Sequence, residues 1–259
     1  MLIAHISDFH GFAHAAETSL VRADAADAAR KVVEDIAAYA PAIDAAIFTG
    51  DLVDGGTEEN YALLKDILAP LDMPVFVVPG NHDTRVGLRA AFRDTLSFPS
   101  DGTAHYAARI GGIRLLALDT LVDGQVYGTL DDAQLAWLDQ TLAADHPGPT
   151  IVAVHHPPCP SGMDALDVMA LRGGKDRLGQ ILSGITGPVV VLAGHIHRPF
   201  QAFWNGAFCQ VGGGPSFQHA LDLRPNAPEP GRAEEPYAYF ILRFADDVSL
   251  TIHKRFVSL

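Results

Sequence analysis

The chain has 259 residues, of which 31 are Asp or Glu and 18 are Lys or Arg, giving a formal charge of −13 with neutral histidine. That balance argues against a nucleic-acid clamp, which needs a basic stripe to release counterions from phosphates, so no nucleic-acid polymer is expected as a partner. Hydrophobic residues at 48% and charged residues at 19% are a globular balance with ample material for a core, and no run approaches the roughly 20 apolar residues of a membrane span.

The opening Met1-Leu2-Ile3-Ala4-His5 has no basic n-region, so no secretory signal is expected and a cytoplasmic address follows by default. Two cysteines, Cys159 and Cys209, are too few for a disulfide framework and are read as free thiols.

Residues 2–7 are a short apolar run with β-branched members and predict a strand, and 23–40 repeats apolar residues at helical spacing until Pro41. A second strand at 45–49 ends at Gly50-Asp51. Thr57 can cap a helix that runs through Tyr61, Leu64 and Leu68 to Pro70, and 75–78 is a buried strand ended by Pro79-Gly80. Strand, helix, strand, helix, strand implies right-handed crossovers and a parallel sheet covered by helices. In the second half, 104–109 and 113–118 flank Gly111-Gly112 as a hairpin, and 131–144 is an amphipathic helix. Buried strands follow at 151–154 and 189–193, with a helix around 177–182 between them. Sheet strands are predicted at 200–204, 207–211, 237–244 and 248–256, and 223–236 is rich in Pro and Glu and reads as a surface loop. With no repeat and no linker, the α/β pattern predicts one domain over 1–259, two packed mixed sheets with helices outside.

The polar clusters follow these strands. Asp8-Phe9-His10 comes after the first, Gly50-Asp51 after the second, Gly80-Asn81-His82-Asp83 after the third, His155-His156 after the strand at Ile151, and Gly194-His195-Ile196-His197 after the strand at Val189. In open α/β sheets ligands bind outside the carboxyl ends of the strands, so separate segments would deliver side chains to one place. Singly, Asp8 or Asp51 could be a helix N-cap or a turn residue, and Gly80-Asn81 is a common turn dipeptide. Together they supply Asp8, His10, Asp51, Asn81, His155, His195 and His197, carboxylate, imidazole and amide donors that suit Mn, Fe, Co or Zn, and the absence of a motif cysteine argues against a structural thiolate zinc site. One metal seldom takes so many such ligands, whereas two sharing a carboxylate would. Two divalent ions about 3.5–4 Å apart can hold a bridging hydroxide and clamp both the attacking and leaving oxygens of a phosphoryl displacement.

The ordered set D-x-H, G-D, G-N-H-D, H-H-P-P and G-H-x-H, at Asp8/His10, Gly50-Asp51, Gly80 to Asp83, His155 to Pro158 and Gly194 to His197, resembles the calcineurin-like metallophosphoesterases. Within them it is most similar to the small bacterial class III cyclic-nucleotide phosphodiesterase and glycerophosphodiesterase group. The resemblance implies a four-layer α/β/β/α sandwich, two divalent metal ions, and hydrolysis of small phosphodiesters such as 3′,5′-cAMP, 2′,3′-cAMP or glycerophosphodiesters. It implies that Asp8, His10, Asp51 and His197 hold one metal, and that Asp51, as bridge, holds the second with Asn81, His155 and His195. It further implies that His82 sits over the phosphate as a donor or as acid to the leaving alkoxide, that Asp83 orients it, and that Asn81, His82 and His219 meet the substrate.

Other residues have plainer readings. His5, inside the first strand, is read as a hydrogen-bonded core residue, and His156 as packing beside a ligand, since a continued strand turns it the other way. His14, His105, His146 and His253 are read as surface residues. Arg85 and Arg198 flank motifs and could reach a phosphate oxygen or stay solvated. Substrate choice is expected in the rim loops 11–21, 161–175 and 212–236. Two further functions compete: a phosphomonoesterase of the same fold, and a catalytically silent metal-binding interaction module, which the unbroken motifs oppose. The C-terminal strand offers an edge at which a second copy can pair as a homo-oligomer.

Overall fold

The computed structural model describes every residue except Thr18, Asp145 and Val248. β1 (Leu2–Ile6), β2 (Ala45–Phe48) and β3 (Val75–Val77) pair in parallel, connected by α1 (Ala25–Ala37) and α2 (Glu58–Leu68). α1 buries Ala25, Ala28, Ala29, Val32, Val33 and Ile36, the stripe that a period of 3.6 puts on one face. It ends at Ala37, three residues before the expected stop. Thr57 caps α2, its hydroxyl accepting from Asn60 N at 3.2 Å.

α3 (Arg85–Phe92) was not anticipated, because it buries only Leu88 and Phe92 and so carries little periodic signal. The chain continues through the hairpin β4 (Tyr106–Ile110) and β5 (Ile113–Ala117), the two-residue β6 (Gly128–Thr129), and α4 (Asp132–Leu142), capped by Asp131. Then come β7 (Thr150–Ala153), the single turn α5 (Asp164–Asp167), β8 (Leu171–Gly173), α6 (Lys175–Ser183) and β9 (Val189–Ala193). β10 (Phe200–Trp204), β11 (Ala207–Val211), β12 (Tyr237–Phe244) and β13 (Leu250–Val257) complete the fold. The expected start of the last strand, Val248, lies outside the described residues.

One sheet has the order β13-β12-β1-β2-β3 and the other β10-β11-β9-β7-β5-β4, while β6 and β8 pair as a small separate ribbon. Alternation along the strands defines the layers. Leu115, Ile151, Val190 and Leu192 belong to the cluster shared with Ile3 and Phe240 of the first sheet, whereas Leu116, Val152, Val191 and Ala193 pack with Leu138 of α4 and Leu178 of α6. The result is the four-layer α/β/β/α sandwich. Each fully buried Leu or Ile contributes about 1.5–3 kcal/mol, which lets the core tolerate strain at its strand ends. No helix among the described residues is long and apolar enough to cross a membrane.

Two histidines expected at the surface are buried. His105 packs its ring 4.5 Å from Trp137 and bonds Thr103 Oγ1 at 2.9 Å, and His146 bonds the carbonyl of Pro149 at 3.0 Å. Both sit in polar contexts that read as loop or edge, which carry no sign of these contacts. His14 and His253 are exposed as expected, and Cys159 and Cys209 are free and buried.

Candidate metal centre

β1, β2 and β3 are parallel in one sheet, as are β7 and β9 in the other, and bonds such as His155 Nδ1 to Thr49 O and His195 N to Asp8 Oδ1 bring the turns after their carboxyl ends to one rim of the sandwich. The turns that follow are laced together by backbone bonds: Asp8 N to Gly50 O at 3.0 Å, His10 N to Asp51 O at 2.9 Å, and Gly194 N to His155 O at 3.0 Å. Five donors occupy the left-handed region of the backbone, Asp8 (φ 59°), His10 (47°), Asp51 (47°), His195 (70°) and His197 (49°). Non-glycine residues there are strained by about 1–3 kcal/mol each, and such strain gathers at functional sites. The motif glycines have a steric reason. A Cβ on Gly80 would overlap the Asp51 carboxylate, and one on Gly194 would overlap Ser7 Oγ and come within 2.6 Å of Asp8 Oδ2.

Each histidine donor is fixed through its far nitrogen. His10 Nδ1 lies 3.1 Å from Asp54 Oδ1, His155 Nδ1 2.7 Å from Thr49 O, His195 Nε2 2.9 Å from Met169 O, and His197 Nδ1 3.1 Å from Phe217 O. An acceptor at the far nitrogen requires the proton there and turns the other nitrogen, with its lone pair, to the centre. His10 Nε2 and His197 Nε2 consequently face each other at 3.1 Å, and His155 Nε2 and His195 Nδ1 at 3.2 Å. Facing lone pairs are repulsive alone, and a cation bound to both resolves them. Donors about 2.0–2.2 Å from one ion lie about 3 Å apart when adjacent, which is the spacing found.

Asp51 joins the two pairs through one atom: Oδ2 is 3.4 Å from His10 Nε2 and 3.2 Å from His155 Nε2, while Oδ1 accepts from His82 N at 2.8 Å. Asp8 Oδ1 is 3.4 Å from His197 Nε2, and Asn81 Oδ1 is 3.2 Å from His155 Nε2. The structure thus brings all seven expected donors together, and the set fits two divalent ions with Asp51 between them. Three groups of His and carboxylate donors lie within 4.8 Å of one another among the described residues: Asp8 with His10, Asp51 and His197; His155 with His156 and His195; and His10 with Asp54 and His82. In the second group His156 is already satisfied at both nitrogens, by Thr120 Oγ1 at 2.7 Å and Val126 O at 3.2 Å, so it packs against His195 rather than adding a donor. In the third, His10 contributes only its far nitrogen.

Electrostatics match this arrangement. Burial raises Asp8 to about 6. Burial also opposes charge on Asp51, but His155 and His10 outweigh it and hold that carboxyl well below the usual range. Burial disfavours charge on His155 as well, yet Asp51 lifts it to about 9. Asp8, Asp51, His10, His155 and His197 are buried, and the site opens past the half-buried Asn81, His82 and His195.

Several expected roles shift. The carboxylate of Asp83 accepts from Gly80 N (2.9 Å), Leu52 N (3.2 Å), Val53 N (3.4 Å) and the Tyr61 hydroxyl (3.1 Å), so it braces the loops after β2 and β3 instead of orienting His82. The groups at His82 Nδ1 are Asp54 Oδ1 at 2.9 Å and Glu17 Oε2 at 3.2 Å. Burial works against a charged His82, but Asp54 and Asp51 raise it to about 9. His219, expected to meet the substrate, is 4% exposed, donates from Nδ1 to Pro230 O at 2.9 Å and packs edge-on to Phe217. Arg85 is neither solvated nor free for phosphate: it grips Asp119 at 2.6 and 3.0 Å. Arg198 is likewise bound to Glu235 at 2.7 Å. His5 is buried, with Nε2 2.9 Å from Thr49 Oγ1, and burial lowers it to about 3.

Sequence reasoning missed Asp54, Thr49, Met169 and Phe217. Three of them act through backbone carbonyls that any residue could supply, and the Phe217 ring also stacks on His197 at 3.7 Å and 12°. Asp54 alone left a signal, a second carboxylate three residues after Asp51.

Residues 1–199 match the family model described as calcineurin-like phosphoesterase. The chain is 30% identical over 260 residues to a probable glycerophosphodiester phosphodiesterase, GpdQ, of Arcobacter nitrofigilis, covering 99% of this chain and 93% of that one. It is 36% identical over 228 residues to a probable cyclic nucleotide phosphodiesterase of Rhodococcus erythropolis, covering 85% and 73%. In structure it resembles a dimetal phosphatase from Danio rerio, with a TM-score of 0.73, 17% identity, and coverage of 98% and 96%.

Proposed function

The chain belongs to the calcineurin-like phosphoesterase family, and from that premise we propose that it is a two-metal phosphodiesterase acting on small diesters, cyclic nucleotides or glycerophosphodiesters. The observation that carries this reading is the single Asp51 oxygen standing 3.4 Å from one inward-facing histidine nitrogen and 3.2 Å from another, each of which opposes a second imidazole. Asp8, His10, Asp51 and His197 would hold one ion, and Asp51, Asn81, His155 and His195 the other. Their nitrogen and oxygen donors suit Mn, Fe, Zn or Co. Bound there, the two ions would neutralise the phosphate and activate water for in-line attack.

The protein's own groups do the rest. Asn81 would contact the diester at the open side. His82, half-buried at the rim and braced by Asp54, would donate to a phosphate oxygen or pass its proton to the leaving alkoxide. Asp83 would hold the turn that aims both residues, through Gly80 N and Leu52 N. We place the whole chain, 1–259, in one catalytic domain acting in the cytoplasm, with the outer edge of β13 available to a second copy.

The test is hydrolysis by metal-stripped protein reloaded with Mn, offering 3′,5′-cAMP, 2′,3′-cAMP, glycerophosphoethanolamine and bis-p-nitrophenyl phosphate against the monoester p-nitrophenyl phosphate. Metal-dependent turnover of diesters in preference to the monoester is expected. Turnover of the monoester alone would replace this reading with a phosphomonoesterase, and two bound metals with no turnover would favour the silent module.

A further inference from the structure

Beside His195 the rim carries exposed apolar side chains and an arginine lying over an aromatic ring. Val126 and Val168 are 51% and 56% exposed, and each lies on a segment whose carbonyl holds an imidazole: His156 Nε2 donates to Val126 O at 3.2 Å and His195 Nε2 to Met169 O at 2.9 Å. The pairing of β6 with β8, Gly128 opposite Leu171, ties the two segments together. The Val168 segment is held to the donor His195 directly, and the Val126 segment through His156, which packs on His195.

From β8 the exposed Arg172 lays its guanidinium over the Tyr127 ring, with Cζ 4.2 Å from the centroid. Nε donates to Val168 O at 2.7 Å, and Nη2 donates to the same oxygen, which fixes the plane. Arg85 and Arg198, the other arginines beside the motifs, are held by Asp119 and Glu235, whereas Arg172 has no carboxylate partner among the described residues. In a chain of charge −13, that leaves Arg172 as an exposed, orientated guanidinium beside the donor cluster. A guanidinium covered by an aromatic ring on one side takes a second planar group on the other by stacking and cation–π attraction. A glycerol or ethanolamine substituent has no plane to offer.

We propose that Val126, Tyr127, Val168 and Arg172 form a seat for a planar aromatic ester substituent, so that the centre prefers diesters bearing a nucleobase or an aryl group to wholly aliphatic ones. This rests on the phosphodiesterase reading above, and it assigns substrate choice to the β6–β8 side of the rim.

The experiment compares kcat and KM of the Mn-reloaded enzyme for 3′,5′-cAMP and glycerophosphoethanolamine in the wild type, Arg172→Met and Tyr127→Leu. In parallel, calorimetry measures AMP and glycerol 3-phosphate binding to the same proteins. Stacking on one base corresponds to about a tenfold effect. Each variant should therefore lower the ratio of kcat/KM for cAMP to that for glycerophosphoethanolamine about tenfold, through KM, and should erase tighter binding of AMP. A loss of equal factor on both diesters, an unchanged ratio, or equal wild-type binding of AMP and glycerol 3-phosphate would overturn the seat. If the wild type hydrolyses no diester yet binds AMP more tightly in a way that Arg172→Met removes, the phosphodiesterase reading fails and the seat stands.

Discussion

Asp54 Oδ1 lies 3.1 Å from Nδ1 of His10, and that contact decides which nitrogen His10 turns to the centre. The same oxygen is 2.9 Å from His82 Nδ1, so one carboxylate braces both a donor and the residue proposed to act on the phosphate. Removing such a bracing partner costs about 10–100-fold in metal affinity. Asp54→Asn should weaken the His10 metal position by that factor with less effect on the His155 position, read as metal content after dialysis against graded chelator. Unchanged retention of both metals would show that the brace is not used.

Asp51 is the only donor whose one oxygen approaches histidines of both groups. Asp51→Asn should therefore deplete both metal positions together. Loss of a single equivalent in metal analysis would contradict the bridging arrangement.

His82 contributes its ring from the rim, packed edge-on to His10 with the centroids 4.6 Å apart, while its backbone N–H donates to Asp51. His82→Ala should keep both metals and lower kcat about 10²–10⁴-fold if the ring transfers a proton. Near-normal turnover would remove it from the reaction.

Away from the site, Asp35 receives Arg255 Nη2 at 2.7 Å and Nε at 3.0 Å, and the Tyr239 hydroxyl at 3.0 Å, tying α1 to β12 and β13. The Arg255 contact holds the Asp35 carboxyl below its ordinary value, against a smaller opposing effect of burial. A carboxylate whose folded value is depressed stabilises the protein at every pH above its unfolded value near 4, and that stability is lost as pH falls through the folded value. Asp35→Asn should lower the Tm by about 1–3 °C at pH 7, since solvent screens a pair this exposed, and should leave the variant less sensitive to acid than the wild type below pH 4. Parallel Tm–pH curves for the two proteins below pH 4 would show that the pair contributes nothing there.

Much of the fold was legible because apolar runs and their breakers are local. β9, β10, β11 and β12 begin and end where the pattern places them, and Thr57 caps the helix that follows it. α3 and the β6–β8 ribbon were not legible, the first burying two side chains and the second being too short to alternate.

The sequence by itself determined the donor set, since carboxylate, amide and imidazole at strand ends are a matter of residue type and order. What those donors do to one another was decided only by tertiary structure. Whether His156 is a ligand or packing, whether Asp83 or Asp54 holds His82, and whether Arg85 is free depend on which atoms lie within about 3 Å once distant segments meet. Thr49, Met169 and Phe217 make the same point most directly. They orient His155, His195 and His197 through backbone carbonyls, groups common to every residue, so only the folded path of the chain can say which ones are used.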